Sequence, residues 1–156
     1  MIIISAMSRT GVIGVGDGMP WDIPDEYQHF LDTTRDQALI IGRRSFEIFG
    51  PTLTCRDCFV ISRGLSHTTG ATVVSSLNDA LAAARLTGRE IFVAGGASIY
   101  AEAVPLADRM LLSYIEGDFA GDAYFPTFDE SDWNVYSREH HGAWELVDFR
   151  RSDANA

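Results

Sequence analysis

Apolar residues along this chain fall into short, strand-length runs that alternate with segments of helical periodicity. Residues 2–7 form a continuous, β-branched run, which is typical of a strand buried on both faces. A helix is predicted from Pro24, because proline lacks an N–H and suits the first helical position. Its inner stripe would be Tyr27, Phe30, Leu31 and Thr34. Further strands are predicted at 38–41, 58–62, Thr72–Val74, 91–94 and Arg109–Ile115, and further helices at Arg43–Phe49, Leu77–Arg85 and 97–104.

This alternation predicts an α/β fold built on a mostly parallel, twisted central sheet. Strand–helix–strand repetition between residues 38 and 115 implies parallel pairing with right-handed crossovers. The tail differs, because the runs 133–139 and 144–150 flank a short polar segment and indicate an antiparallel hairpin. We therefore expect a single domain over residues 1–156, with about eight strands, an antiparallel C-terminal edge hairpin and about four flanking helices.

Charge and composition narrow the functional classes. The net charge of −10 argues against general nucleic-acid binding, which needs a basic stripe. All 12 basic residues are arginine, so a phosphate-loop lysine and a Schiff-base lysine are both excluded. No apolar run approaches the roughly 20 residues of a membrane span. The first residues carry no basic segment, so we expect no secretory signal and a cytoplasmic location.

The two cysteines, Cys55 and Cys58, form a Cys-x-x-Cys pair just before an apolar run. Two cysteines are too few for a disulfide-stapled scaffold, and a structural zinc site would need a second ligand pair. A thioredoxin-like motif should open a helix after a strand, whereas this one leads into a predicted strand. The pattern therefore favours a turn and strand start over a redox or metal role.

Glycines mark two places where a ligand could approach the backbone. The series Gly14-x-Gly16-x-Gly18 does not open a helix, so a mobile loop is favoured over a dinucleotide cradle, and such a loop can serve as a lid. Gly95-Gly96 lies between a buried strand and a helix start, where it suits either a pyrophosphate or simply a tight turn.

Arginines gather at the ends of predicted strands. Gly42-Arg43-Arg44-Ser45 follows one strand and Ser62-Arg63 ends the next. Each arginine alone could be a solvated surface charge. Two adjacent arginines and a hydroxyl at a helix start nevertheless form an anion site suited to a 2′-phosphate, so together they favour NADP over NAD.

Glu26 lies in the first turn of the first predicted helix, one turn before Phe30. That spacing places it beside the apolar stripe. Acidic residues favour helix N-termini because of the helix dipole, which is the ordinary explanation of such a residue. Alternatively, a carboxylate at the edge of an apolar cleft could pair with an amidine-like group on a flat heterocycle, with its proton affinity set by desolvation.

Five motifs occur in order along the chain: Val12-Ile13-Gly14, Met19-Pro20-Trp21-x-Ile23-Pro24, Gly42-Arg43-x-Ser45-Phe46-Glu47, Val93-x-Gly95-Gly96-x-x-x-Tyr100 and Gly121-Asp122-x-x-Phe125-Pro126. Their order and spacing closely resemble the dihydrofolate reductase family, from the first strand to the C-terminal hairpin. One fragment would be weak evidence, but five in sequence are highly specific. The resemblance implies an oxidoreductase that transfers a hydride from NADPH to 7,8-dihydrofolate, giving tetrahydrofolate for one-carbon metabolism.

The resemblance also implies roles for individual side chains on the substrate side. Glu26 would be the active-site carboxylate that holds the 2-amino and N3 groups of the pterin and favours protonation at N5. Ser113, where the family usually has threonine, would hydrogen-bond that carboxylate, and Trp21 would hold an ordered water. Further substrate contacts are expected from Ile4, Ala6, Tyr27, Phe30, Phe49 and Leu53, and Arg56 would pair with the α-carboxylate of the folate glutamate.

On the cofactor side, the resemblance places Ile13 and Gly14 beside the nicotinamide and the Gly95–Gly96 peptide, expected to be cis, at the pyrophosphate. The loop around residues 14–19 would be a mobile lid braced by Gly121-Asp122. The full set of expected NADPH contacts is Ala6, Ile13, Gly14, Met19, Arg43, Arg44, Ser45, Ser62, Arg63, Ala94, Gly95, Gly96, Ala97, Ser98, Ile99 and Tyr100. No metal is expected.

Several residues depart from the family pattern. Glu26 adds one methylene to the aspartate of many members, Tyr27 and Phe49 are bulky, and His29 stands where an aromatic or apolar residue is common. Cys55 and Cys58 flank Arg56 where a glycine and a polar residue are usual. None of these departures removes a catalytic group. Glu26, Tyr27 and Phe49 together lead us to expect weaker trimethoprim binding than in a typical bacterial enzyme.

Three alternatives remain beside the family's own reaction. A reductase of the same fold acting on a riboflavin-pathway pyrimidine would keep the glycine turn and the arginines, but would not need Trp21, Glu26 and Arg56 together. A folate- or NADPH-binding protein without turnover would bind ligands and not react. A redox module would depend on Cys55 and Cys58. The partners we expect are dihydrofolate and antifolate inhibitors, with no nucleic acid or membrane, and the chain is expected to be a monomer.

Overall fold

A computed structural model describes residues 1–64 and 67–152. Their strands are β1 (Ile2–Ser8), β2 (Val12–Gly14), β3 (Ala38–Gly42), β4 (Asp57–Ile61), β5 (Thr72–Val74), β6 (Ile91–Val93), β7 (Arg109–Ile115), β8 (Ala123–Tyr124), β9 (Trp133–His140) and β10 (Trp144–Arg151). The helices are α1 (Pro24–Thr34), α2 (Arg43–Phe49), α3 (Leu77–Arg85) and α4 (Ala97–Ala103), with short 3-10 turns at Gly50–Thr52, Val104–Leu106 and Glu130–Asp132. None of these helices is long and apolar enough to cross a membrane.

Eight strands form one sheet in the order β5-β4-β3-β6-β1-β7-β10-β9. The pairs from β5 to β7 are parallel, and β10 pairs antiparallel with both β7 and β9. This confirms the predicted fold class, including the antiparallel C-terminal edge. Strand bounds differ from the predicted ones by about one residue, as expected where apolar runs have no sharp ends.

The apolar runs are continuous because helices cover both faces of the sheet. Ile3 and Ile40 belong to a cluster with Leu77, Leu81 and other residues of α3 and α4. Their neighbours in the same strands, Ile4 and Leu39, point to the opposite face and pack with Phe30 of α1. Successive strand residues alternate between faces, so a strand buried on both has no room for polar positions.

The inner stripe predicted for α1 is only partly right. The two buried residues of that helix are Glu26 and Thr34, whereas Tyr27, Phe30 and Leu31 are half-buried. Thr34 satisfies its hydroxyl within the helix by donating to the carbonyl oxygen of Phe30 at 2.9 Å. Of the three half-buried residues, Tyr27 and Phe30 are left half-buried because they border an open cleft.

The glycine-rich stretch, predicted as a loop, contains a short strand. β2 pairs antiparallel with β8, so Val12 lies opposite Tyr124 and Gly14 opposite Ala123. A Cβ on Gly121 would lie only 2.5 Å from the carbonyl oxygen of Gly14, so the approach of the two segments requires glycine there. Sequence patterns missed this pair because strands of two or three residues have no measurable period.

Candidate active site

A cleft of about 660 Å³ opens at the carboxyl ends of β1, β3 and β6, with α1 forming one wall. In the sheet, β6 and β3 lie on one side of β1, and β7 lies on its other side, so the strand order reverses direction at β1. Ligands of open α/β sheets bind at such a switch point. The topology therefore positions this cleft as the candidate active site.

Most of the residues predicted as functional meet in this cleft. They come from five separate segments of the chain, which the sequence alone could bring together only through the expected strand order. They are Ile4, Ala6, Ile13, Gly14, Met19, Glu26, Tyr27, Phe30, Arg43, Arg44, Ser45, Phe49, Ala94, Gly95, Gly96, Ala97, Ser98, Ile99 and Tyr100.

Six predicted residues do not line the cleft. Trp21 and Ser113 are buried beside it. Leu53 and Arg56 line a second, separate pocket of about 390 Å³. Ser62 and Arg63 lie just after the end of β4, outside both pockets. Of the predicted 2′-phosphate residues, the structure thus brings Arg43, Arg44 and Ser45 to the cleft, but not Ser62 or Arg63.

The carboxylate of Glu26 is buried at the inner end of the cleft, with only 5% of the residue exposed. Burial raises the pKa of Glu26 to about 7, because desolvation disfavours the charged form. A hydrogen bond from Ser113 lowers that pKa, and the negative charge of Asp25 raises it. The group can therefore hold or release a proton near neutral pH, which suits acid–base chemistry.

The position of Ser113 follows from strand register. It is paired with Ala6 of β1 and with Leu146 of β10, and it is almost fully buried in the middle of β7. A hydroxyl on a central strand cannot move far, so its contact with Glu26 is fixed by the sheet. Strand assignment alone predicts the burial of Ser113, but not which side chain it would meet.

Trp21 closes the site from the side of the loop before α1. Its indole ring meets Phe119 edge-on, with 5.3 Å between ring centroids. Its buried indole N–H has no acceptor among the residues that the structure describes. Because a buried donor needs a partner, this N–H is available to a water or ligand atom.

Asp25 anchors the start of α1 to the C-terminal hairpin. Its carboxylate accepts a hydrogen bond of 2.8 Å from the indole N–H of Trp144 on β10. His29 lies against the same indole, with 5.5 Å between ring centroids, and burial lowers the pKa of His29. No spacing rule pointed to Asp25, since its partner lies 119 positions away along the chain.

The two glycine turns touch each other at the floor of the cleft. The N–H of Gly42 donates to the carbonyl oxygen of Gly95 at 2.8 Å. The Gly95–Gly96 peptide is cis, as expected, and Gly95 has a φ of +117°, which side-chain-bearing residues rarely adopt. A Cβ on Gly95 would face the hydroxyls of Ser45 and Tyr100, at 3.5 and 3.6 Å. Bare backbone thus lines the cleft where a dinucleotide phosphate would need close approach.

Two arginines stand at the outer end of the cleft. Arg43 and Arg44 are both exposed and begin α2. Arg44 reaches the glycine-rich loop, where it donates to the carbonyl oxygen of Gly16 and to the carboxylate of Asp17, both at 3.0 Å. These cations and the hydroxyl of Ser45 fit a phosphate group, so the residues present suit NADPH.

Sequence reasoning missed several residues that line the cleft. They are Ser5, Gly16, Gly18, Ile41, Gly42, Ile48, Ile61, Asp122 and Ala123. Asp122 was expected only as a brace for the loop, and it does accept from the N–H of Gly16 at 3.1 Å while donating its own N–H to Gly14. Positions at strand ends, such as Ile41 and Ile61, could have been found from the strand order.

Cys55 and Cys58 are free thiols on the rim of the second pocket. Cys58 is buried at the start of β4, as the turn and strand interpretation predicts, and Cys55 precedes the strand. Within residues 1–64 and 67–152, no group of three or more His, Cys, Asp or Glu side chains could hold a metal ion.

Comparisons with known proteins agree with this geometry. Residues 1–151 match a family model described as dihydrofolate reductase. The dihydrofolate reductase of Bacillus subtilis (strain 168) is 39% identical over 137 residues, covering 87% of this chain and 81% of that protein. Dihydrofolate reductase type A13 of Escherichia coli is 36% identical over 138 residues, covering 88% and 84%. The solved dihydrofolate reductase from Enterococcus faecalis, complexed with NADP(H) and RAB-propyl, superposes with a TM-score of 0.84 at 26% identity, covering 97% of this chain and 96% of that one.

Proposed function

Because this chain belongs to the dihydrofolate reductase family, we propose that its cleft binds dihydrofolate beside Glu26 and NADPH along the two glycine turns. The chain is an NADPH-dependent oxidoreductase that reduces dihydrofolate to tetrahydrofolate. The observation that carries the placement is the buried carboxyl of Glu26, which lines the same cleft as the exposed Arg43 and Arg44.

Glu26 and Ser113 hold the pterin in this proposal. The carboxylate accepts hydrogen bonds from the 2-amino and N3 groups, whose donor pattern matches its two oxygens. Because its pKa is near 7, the carboxyl can release its proton at neutral pH as N5 of the pterin becomes protonated, and the carboxylate that remains accepts the two hydrogen bonds. The orphan indole N–H of Trp21 holds a water beside this pair. Ile4, Ala6 and Phe30 exclude bulk water from the ring.

The cofactor half of the cleft binds and orients NADPH, which supplies the hydride when bound. Gly95 and Gly96 present backbone to the pyrophosphate, and Arg43, Arg44 and Ser45 surround the 2′-phosphate. Ile13 and Gly14 line the nicotinamide side. The loop that carries Gly14 closes over the cofactor as a lid, held by the contacts of Asp122.

Arg56 binds the α-carboxylate of the folate glutamate, outside the cleft proper. Arg56 lines the second pocket and not the cleft, which supports a contact with the far end of an extended substrate rather than with the pterin. Arg56→Gln should raise the KM for dihydrofolate by roughly 10- to 100-fold, as expected for a charge-assisted hydrogen bond. The KM for NADPH should not change.

The experiment that tests the proposal follows the loss of NADPH absorbance on adding dihydrofolate, in wild type and Arg56→Gln, with Arg56→Lys as the charge-preserving control. Rapid wild-type turnover with the predicted rise in KM supports the placement. An unchanged KM for dihydrofolate in Arg56→Gln would contradict the proposed contact between Arg56 and the α-carboxylate of the substrate.

The bulk of Tyr27 and Phe49 leads to a proposal about inhibitors. The two rings face each other across the cleft, with 6.1 Å between centroids, so they narrow the space next to the pterin pocket. Trimethoprim should therefore bind more weakly than it does to typical bacterial members. An inhibition constant in the nanomolar range would contradict this.

Location and assembly complete the proposal. A net charge of −10 disfavours binding to nucleic acid, which is itself an anion. We propose a monomer in the cytoplasm. Sedimentation at working concentrations tests whether the protein is a monomer, and a measured mass twice that of one chain would contradict this.

A further inference from the structure

The chain has two cysteines, and an irregularity of the backbone lies between them. In a regular strand, residues three positions apart point to opposite faces of the sheet. Here, however, the N–H groups of Arg56 and Asp57 both donate to the carbonyl oxygen of Gln37, at 2.9 and 3.3 Å. Two residues that oppose one residue of the neighbouring strand form a β-bulge. The bulge shifts the alternation by one position, which places Cys55 on the same face as Cys58.

The packing of the two thiols agrees with this placement. Both side chains belong to one apolar cluster with Val60 and Phe46, and both line the second pocket. The thiols of Cys55 and Cys58 are also hydrogen-bonded to each other. A disulfide requires two cysteine side chains that point toward each other over a short distance. The fold therefore supplies the starting geometry for a bond between these two sulfur atoms.

The two thiols differ in exposure and in acidity. Cys58 is buried, with 8% of the residue exposed, whereas Cys55 is partly exposed. The hydrogen bond from Cys58 lowers the pKa of the Cys55 thiol, although burial and the negative charge of Asp57 oppose this. The same hydrogen bond and burial raise the pKa of the Cys58 thiol. Because the thiolate is the reactive form, Cys55 is the better nucleophile of the pair.

We propose that Cys55 and Cys58 form a reversible modification site for small-molecule disulfides, with Cys55 as the attacking thiol and Cys58 as the resolving thiol. The site lies outside the cleft that contains Glu26, and it does not depend on where dihydrofolate binds. A thioredoxin-like motif brings its cysteines together at the start of a helix. Here the β-bulge before β4 brings them together instead, which the Cys-x-x-Cys spacing alone could not indicate.

The reaction takes place in two exchange steps. In the first, the Cys55 thiolate attacks one sulfur of the small disulfide, the bond between its two sulfur atoms breaks, and one small thiolate leaves and takes up a proton. In the second, Cys58 loses its proton and attacks the sulfur of Cys55, which expels the second small thiol. The protein is thereby oxidised by two electrons and the small disulfide is reduced to two thiols. An excess of small thiols reverses both steps.

The test incubates the reduced, full-length protein with oxidised glutathione, blocks the remaining thiols with an alkylating reagent and measures the mass of the intact chain. The wild type should lose two hydrogens, carry no glutathionyl group and accept no alkylating reagent. Dithiothreitol should restore both thiols. A wild type that keeps both thiols, or that stops with one glutathionyl group attached, would overturn the proposed site. This measurement uses the native chain, so it holds even where a variant unfolds.

Two single variants test the assigned roles. Cys58→Ser should stop with one glutathionyl group on Cys55, because the resolving thiol has been removed. Cys55→Ser should react roughly tenfold more slowly or less, since its remaining thiol is buried. In urea the two variants should react at equal rates, which controls for effects that do not come from the fold.

Equal rates of the two folded variants would overturn the roles of Cys55 and Cys58. The reduction of dihydrofolate by the reduced wild type is measured on the same sample. If that turnover is present while no disulfide forms, the proposed function stands and the modification site alone fails.

Discussion

Replacing Glu26 with glutamine should make the folded protein more stable at alkaline pH while removing its catalytic carboxyl. Burial raises the pKa of Glu26 from 4.5 to about 7 in the folded chain. Between these values the folded state keeps a proton that the unfolded chain has lost, so stability falls as pH rises through this window. A difference of about 2.5 pKa units corresponds to about 3 kcal/mol of unfolding free energy. Glu26→Gln removes this penalty because glutamine does not ionise.

The assay is urea unfolding of wild type and Glu26→Gln at several pH values from 4.5 to 8.5. The variant should gain stability relative to wild type across the window, reaching about 3 kcal/mol at pH 8 and little at the acid end. Glu102→Gln, the same change at an exposed position of α4, controls for the loss of one negative charge. A difference that does not vary with pH, or a wild type that is the more stable protein at pH 8, would refute the reasoning.

Three further predictions concern the loop, the cofactor and the pairing of β10 with β7. Gly121→Ala should destabilise the protein by about 1–3 kcal/mol in urea and raise the KM for NADPH, because a Cβ would lie 2.5 Å from the Gly14 carbonyl oxygen. If neither the stability nor the KM changed, the close approach of β2 and β8 would be contradicted. Arg44→Gln should raise the KM for NADPH about tenfold and leave that for NADH nearly constant, and equal effects on both cofactors would exclude a 2′-phosphate contact. Asp148→Asn should lower the free energy of unfolding in urea by about 1–3 kcal/mol, because the buried carboxylate accepts two hydrogen bonds from Arg109 at 3.0 and 2.9 Å. Arg109→Lys should lower it less. If Asp148→Asn left the stability unchanged, the ion pair would contribute nothing to it.

The sheet could be predicted from the sequence because its strands are covered on both faces. Runs such as β1 and β7 contain almost only buried residues, so their apolar character is continuous and their bounds are clear. β2 and β8 pair at the rim of the cleft and are too short to leave a pattern. Only the glycine content marked this region in the sequence. Glycine indicates a flexible backbone, but it does not show which strands pair.

The candidate site was predictable as a set of residues but not as a geometry. The charge of Glu26 could be explained by its helix position alone, and only the fold shows that it is buried. Leu53 and Arg56 follow Phe49 closely in the chain, yet they line a different pocket. Tyr27 and Thr52 meet across 25 positions, a contact set by how α1 and α2 lie on the sheet rather than by any local pattern.

The most direct test of the central claim is the pH dependence of kcat/KM for dihydrofolate in wild type and Glu26→Gln, with NADPH saturating, because this ratio reports the carboxyl before dihydrofolate binds. If the buried carboxyl holds the proton, the wild-type kcat/KM falls as pH rises through about 7. Glu26→Gln should have a kcat/KM lower by roughly 100-fold or more at pH 7 and should lose that step. A variant that keeps the wild-type kcat/KM at pH 7, or the same step near pH 7 without the carboxyl, would contradict the role of Glu26.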